Sequence, residues 1–204
     1  MSQPDRPVQT RDAEATKARL LQAATEEFAA RGIAGARVDR IGTAAKVNKA
    51  LIYTYFGNKE QLFDAVMDAH VTRVLDRVPF TPEDLPGYAG RLFDFLADHP
   101  HQLRLATWNR LERAGTDREP EELHASMRRK TDALAQAQDD GQLPTAFPPE
   151  DLLVFTLALV GAWMPTSPMA TTEPAAQQTR QRRAAVVEAV RRLITREETG
   201  QDSS

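Results

Sequence analysis

Five of the basic side chains fall in one short stretch: Arg37, Arg40, Lys46, Lys49 and Lys59. Among them stand Tyr53, Thr54 and Tyr55, so phenols and a hydroxyl alternate with cations. Cations and hydroxyls at this density suit phosphate oxygens, and a lysine beside small apolar residues suits base edges in a duplex groove. Other chemistries lack their residues. The 204 residues include no cysteine, so a thiolate metal site, a cysteine nucleophile and a disulfide framework are all excluded. His70, His99, His101 and His124 show no metal-ligand spacing. No glycine-rich phosphate loop, no carboxylate–histidine pair at helical spacing and no serine in a nucleophile setting occurs. The expectation is therefore no catalysis, no metal and no cofactor.

The net charge of −3 hides an asymmetry. Residues 1–60 hold ten basic and seven acidic side chains, whereas the remaining 144 hold 16 basic and 22 acidic. A small module facing a polyanion, joined to a body with another task, would have this division; so would ordinary scatter of surface charge. With 41% hydrophobic and 27% charged residues the chain reads as globular. The longest apolar run, Leu152 to Met164, is too short to cross a bilayer, and the polar N-terminal stretch is not a leader. A cytoplasmic location without membrane contact is expected.

Positioning these side chains falls to helices, because helical spacing recurs along the chain and strand alternation does not. A first helix runs from about Ala13 to Arg31, with Leu20, Leu21, Ala24 and Phe28 on one face and Gly32 as its stop. A short second helix fits Val38 to Ala45, with Asp39 favourably placed in its first turn. Asn48 is a good N-cap for a third, Lys49 to about Phe56, and Asn58 with Gln61 resembles a capping box for a fourth. Prolines then punctuate helical segments at about 87–98, 101–114, 120–140, 150–164 and 175–196.

The second and third helices, joined by a tight turn, form a helix-turn-helix pattern. Ile41, Ala44, Ala45, Val47, Ile52 and Phe56 meet its need for small or branched residues where two helices cross. With Ile52 and Phe56 inward, the third helix turns Lys49, Ala50, Tyr53 and Thr54 outward, with Leu51 at the edge. Residues 13–67, and most of all Ile52-Tyr53-x-Tyr55-Phe56-Gly57-Asn58-Lys59-Glu60-x-Leu62, resemble the DNA-binding domain of the TetR family of one-component transcriptional repressors. That resemblance implies that Tyr53 and Lys59 grip phosphates and that Tyr55 takes a position often held by a backbone-contacting histidine. It puts Lys49, Ala50, Leu51 and Thr54 toward the bases. Arg37 stands where the family usually has a capping threonine, Lys46 where it has a turn glycine, and Gly42 where it has an alanine. The predicted DNA-facing set is thus Arg37, Asn48, Lys49, Ala50, Leu51, Tyr53, Thr54, Tyr55 and Lys59.

The expected architecture is all-α: a tail over 1–12, a helix-turn-helix domain over 13–58 with its motif at about 37–56, a helical ligand-binding and dimerisation body over 59–196, and a tail over 197–204. Segments 150–164 and 175–196 are the expected homodimer surface, through Leu152, Phe155, Leu159, Val186, Val190, Leu193 and Ile194. Tyr88, Leu92, Phe95, Leu105, Trp108, Leu111, Met127 and Trp163 are the bulky candidates for a small-molecule pocket. Three functions follow: a regulator released from a palindromic double-stranded DNA operator by an unknown effector, one controlled by a partner protein, and a helical enzyme, for which the residues are lacking.

Overall fold

The computed structural model describes residues 6–113, 121–163 and 176–195. Among them the chain is helical, without strands: α1 (Arg6–Gly35), α2 (Val38–Ala45), α3 (Lys49–Phe56), α4 (Lys59–Arg77), α5 (Leu85–Asp98), α6 (Pro100–Arg113), α7 (Glu121–Asp139), α8 (Pro149–Gly161) and α9 (Ala176–Leu193), with a 3₁₀ turn at Pro82–Asp84. The all-α expectation holds. No helix among the described residues is long and apolar enough to span a membrane.

Two compact units divide the chain, residues 1–73 with 99–122 and residues 74–98 with 123–204. In the first, α1 buries Leu20, Ala24 and Phe28 at four-residue spacing. Each such Leu or Phe removes enough apolar surface from water to contribute roughly 1.5–3 kcal/mol. Phe28 meets Phe63 of α4 edge to face, with centroids 5.0 Å apart and planes at 86°. Ile41, Ala45, Ile52 and Phe56 complete this core from α2 and α3, and Leu105 joins it from α6.

Helix α1 starts at Arg6, ahead of the expected start near Ala13, so residues 6–12 are helical and not a tail. Pro7 is compatible with this start, because the N–H it lacks would have had no partner in the first turn. Residues 1–5, 114–120, 164–175 and 196–204 lie outside the described set, and with them the C-terminal tail and the ends of several expected segments. At Gly32 the backbone turns left-handed (φ 68°). The Glu112 carboxylate then accepts the N–H groups of Ile33 and Ala34 at 3.1 and 3.0 Å. A Cβ on Gly32 would sit 2.2 Å from that carboxylate and 2.9 Å from the Trp108 ring, so only glycine fits.

In the second unit α5 packs on α8 and α9, which also meet each other. Tyr88, Leu92 and Phe95 of α5 are buried, as are Leu152, Leu153, Thr156 and Val160 of α8 and Arg182, Val186 and Val190 of α9. Three expected dimer residues, Leu152, Val186 and Val190, are thus buried within the protomer. The apolar residues that α8 leaves exposed are Val154 (59%), Phe155 (38%) and Ala158, with Ala162 just past its end. Leu159, Leu193 and Ile194 are half-buried. Periodicity could not choose the side, since α8 is apolar nearly all round.

The expected pocket residues fall in both units. Leu105 is fully buried in the core of the first unit. The Trp108 indole N–H donates to the Ala29 carbonyl at 3.3 Å, fastening α6 to α1. Leu111 is 68% exposed. The remaining candidates, Tyr88, Leu92, Phe95, Met127 and Trp163, lie in the second unit, where Met127 and Trp163 are half-buried.

Candidate nucleic-acid interface

The surface of interest begins where the chain leaves α1. Arg37 precedes α2 in extended conformation (φ −121°, ψ 125°) and gives no side-chain cap. Glu27 compensates: its carboxylate accepts the Arg37 N–H at 2.9 Å and the Arg40 Nε–H at 2.7 Å. Burial would raise the Glu27 carboxyl, but these hydrogen bonds and the charges of Arg40 and Arg31 outweigh it, holding it below the usual range. Arg40 also donates to the Gly35 carbonyl at 2.9 Å, tying α2 to the end of α1.

Helix α2 ends in a left-handed residue, Lys46 (φ 56°, ψ 44°), the one described non-glycine residue with positive φ. The Val47 N–H closes back on the Gly42 carbonyl at 2.9 Å, a six-to-one bond that satisfies an orphan helix carbonyl. This turn brings α3 hard against α2. A Cβ on Gly42 would lie 3.0 Å from the Val47 carbonyl oxygen and 3.5 Å from Ile52 Cδ1, which accounts for the glycine despite its cost in a helix of about 1 kcal/mol.

Helix α3 starts as expected at Asn48, whose side-chain oxygen accepts the Ala50 N–H at 2.8 Å. Ile52 and Phe56 are buried at i, i+4, clamping the helix to the core. Lys49, Ala50, Tyr53 and Thr54 are exposed, with Tyr53 at 42%, and Leu51 is half-buried at the edge. The Thr54 hydroxyl donates to the Ala50 carbonyl at 3.0 Å, leaving its lone pairs outward. Tyr55 is half-buried against the core, its ring 6.2 Å from that of Phe56.

Two lysines of the predicted set carry protein partners. Lys49 Nζ lies 2.9 Å from Asp39 Oδ1, which raises the lysine pKa through that hydrogen bond and the carboxylate's charge. Lys59 directs its ammonium to the Ala34 and Ala36 carbonyls at 3.5 and 3.4 Å. Asp39 and Glu27 were missed as members of this surface. Ten and thirteen residues separate them from their partners, so no helical spacing announces either pair. The result is a helix exterior that bears one lysine, a phenol and a hydroxyl, next to the exposed Arg37. Among the described residues no group of three or more His, Asp or Glu could hold a metal ion.

Comparison with known proteins bears on this geometry. Residues 20–66 match the family described as bacterial regulatory proteins, tetR family, and residues 84–192 match the tetracyclin repressor-like C-terminal domain. The HTH-type transcriptional repressor SCO4008 of Streptomyces coelicolor is 44% identical over 155 residues, covering 75% of this chain and 80% of that protein. The crystal structure of the transcriptional regulator SCO4942 from Streptomyces coelicolor superposes with a TM-score of 0.78 at 39% identity, covering 89% of this chain and 99% of that one. The regulator FadR of Bacillus subtilis, solved with stearoyl-CoA, shares the fold at 19% identity, with a TM-score of 0.68 over 84% of this chain and 96% of its own.

Proposed function

The chain belongs to the TetR family of transcriptional regulators, and from that premise we propose that it is a homodimeric repressor, released from a palindromic operator when a small molecule enters its C-terminal body. The observation that carries this reading is the two-sided α3. Ile52 and Phe56 anchor it, while Lys49, Ala50, Tyr53 and Thr54 face out with Leu51 at the rim. Such a helix enters a major groove with its side chains on base edges, while flanking cations and phenols hold phosphates. Arg37, Asn48, Tyr55 and Lys59 are the flanking groups. For Lys59 the phosphate would take over from the two α1 carbonyls, beside the free N–H groups that begin α4.

One such head contacts too few base pairs, and two-fold pairing doubles the contacts on a palindrome. The exposed apolar strip of α8, Val154, Phe155, Ala158 and Ala162, is the dimer face this reading assigns, with Leu159, Leu193 and Ile194 at its margin. FadR, which shares this fold, was solved in complex with stearoyl-CoA, and this supports a ligand as the release signal. The test is DNA binding measured by fluorescence anisotropy on duplexes tiling the region upstream of the gene. Saturable binding to a palindrome that weakens steeply with salt is expected, with at least tenfold loss in Tyr53→Ala. Salt-independent binding, or full binding by Tyr53→Ala together with Lys49→Ala, would overturn it.

A further inference from the structure

Lys130 is a buried cation without a counter-ion. It stands on the inward stripe of α7, one turn after Ser126, with Leu134 following, and only 7% of the side chain is exposed. Its ammonium lies 5.9 Å from the centre of the Phe80 ring and 5.5 Å from that of Tyr88. Among the described residues no carboxylate pairs with it. Tyr88 cannot serve, since burial pushes its phenol up to about 12 and keeps it neutral. Burial, with Arg129 adding a like charge, pushes Lys130 down to about 8. Aromatic faces offset part of the lost hydration of a cation, but interior charges are ordinarily paired.

The same ammonium borders a cavity of about 170 Å³ lined by Leu75, Val78, Phe80, Ser126, Arg129 and Lys130. All six belong to the second unit. One wall is aliphatic and aromatic; the other brings Ser126, a buried residue, and Arg129 beside the ammonium of Lys130. Benzene fills an apolar cavity of about 150 Å³, so the space suits a body of that size. A carboxylate matches the polar wall, with one oxygen on Lys130 and the other accepting from Ser126.

We propose that this cavity binds a small monocarboxylate with an aromatic or short aliphatic body, its carboxylate on Lys130 and Ser126 and its apolar part against Phe80, Leu75 and Val78. The site rests on the reading of the body as the effector-binding half, and it supplies the ligand class that the reading leaves open.

Isothermal titration calorimetry with sodium benzoate and sodium hexanoate, and with benzamide as the uncharged isostere, tests this on the full-length protein without DNA. Saturable binding of one carboxylate per chain is expected, with no response to benzamide. Lys130→Met should lower affinity at least thirtyfold while raising the melting temperature of the ligand-free protein, because an unpaired buried charge is gone. Ser126→Ala should cost about fivefold, and it keeps the test open should Lys130→Met fail to fold. No binding of either acid, equal binding of benzamide, or unchanged affinity in both variants overturns the proposal. A chain that binds benzoate through Lys130 but no operator would uphold the site and sink the repressor reading. Operator binding without carboxylate binding would do the reverse.

Discussion

Asp39→Asn is expected to tighten operator binding, although it deletes a native ion pair. In the free protein Asp39 holds Lys49 at 2.9 Å, with the two side chains 70% and 50% exposed. A lysine so engaged must exchange its carboxylate for a phosphate or a guanine, and the carboxylate is then left near the DNA backbone. Removing that charge frees one cation per protomer, or two in a two-fold complex. Each added phosphate contact steepens the dependence of log affinity on log salt by about 0.9. Two contacts give a slope more negative by about 1.8, so the variant's advantage over the parent shrinks about twelvefold between 50 and 200 mM salt. Asp39 also sits favourably in the first turn of α2. Its loss should cost about 0.3–1 kcal/mol of stability, a fall of roughly 1–4 °C in melting temperature. Affinity and stability thus move in opposite directions, which separates this account from general damage. Fluorescence anisotropy at three salt concentrations, with Lys49→Gln and the double variant completing a cycle, measures it. Weaker binding by Asp39→Asn at low salt, or a slope unchanged from the parent, would refute the reasoning.

Lys46→Gly should raise the melting temperature by about 1–4 °C, because a left-handed φ of 56° costs an L-residue about 1–2 kcal/mol while the extra freedom of unfolded glycine returns part of it; a lower melting temperature would show that the turn is not strained. Gly32→Ala should destabilise by more than about 2 kcal/mol in urea unfolding, combining the φ of 68° with a Cβ 2.2 Å from Glu112 and 2.9 Å from Trp108. His70 is buried, its Nδ1–H donates to Gln102 Oε1, and burial lowers its pKa, with Arg73 and His101 acting in the same direction. The unfolded chain therefore binds the proton more readily, so stability is full above pH ~6.5 and declines as pH falls below it; His70→Gln should flatten melting temperature between pH 7.5 and 5. Phe155→Glu should turn the proposed dimer into a folded monomer by sedimentation and weaken operator binding at least tenfold, whereas Val190→Glu, at a fully buried position, should unfold the chain.

What was legible in the sequence was local. Helices α2 and α3 run between the expected residues because their signals lie within a few positions of the chain. Asn48 caps α3 through the Ala50 N–H, and Asn58 accepts the Gln61 N–H at 2.8 Å to open α4. The outward placement of Lys49, Ala50, Tyr53 and Thr54 follows from 3.6 residues per turn once Ile52 and Phe56 are inward. Lys46 was readable only through the family resemblance, which has a turn glycine there; the structure shows it left-handed, with the six-to-one closure of Val47 on Gly42.

What was not legible is the choice among equivalent apolar faces and the pairing of distant charges. Helix α8 offers Leu152, Val154, Phe155 and Val160 on different sides, and only its seating on α5 and α9 decides that Val154 and Phe155 stay exposed. Leu105, Trp108 and Leu111 look alike as bulky residues of one helix. Yet α6 turns Leu105 into a core, bonds Trp108 to Ala29 and leaves Leu111 in water. Lys130 follows the same logic. On the α7 stripe shared by Ser126, Lys130, Leu134 and Ala137, a lysine read alone is a solvated charge. Buried between two aromatic rings and a cavity, it becomes a cation with no carboxylate beside it among the described residues, and an anion small enough to enter is what would compensate it.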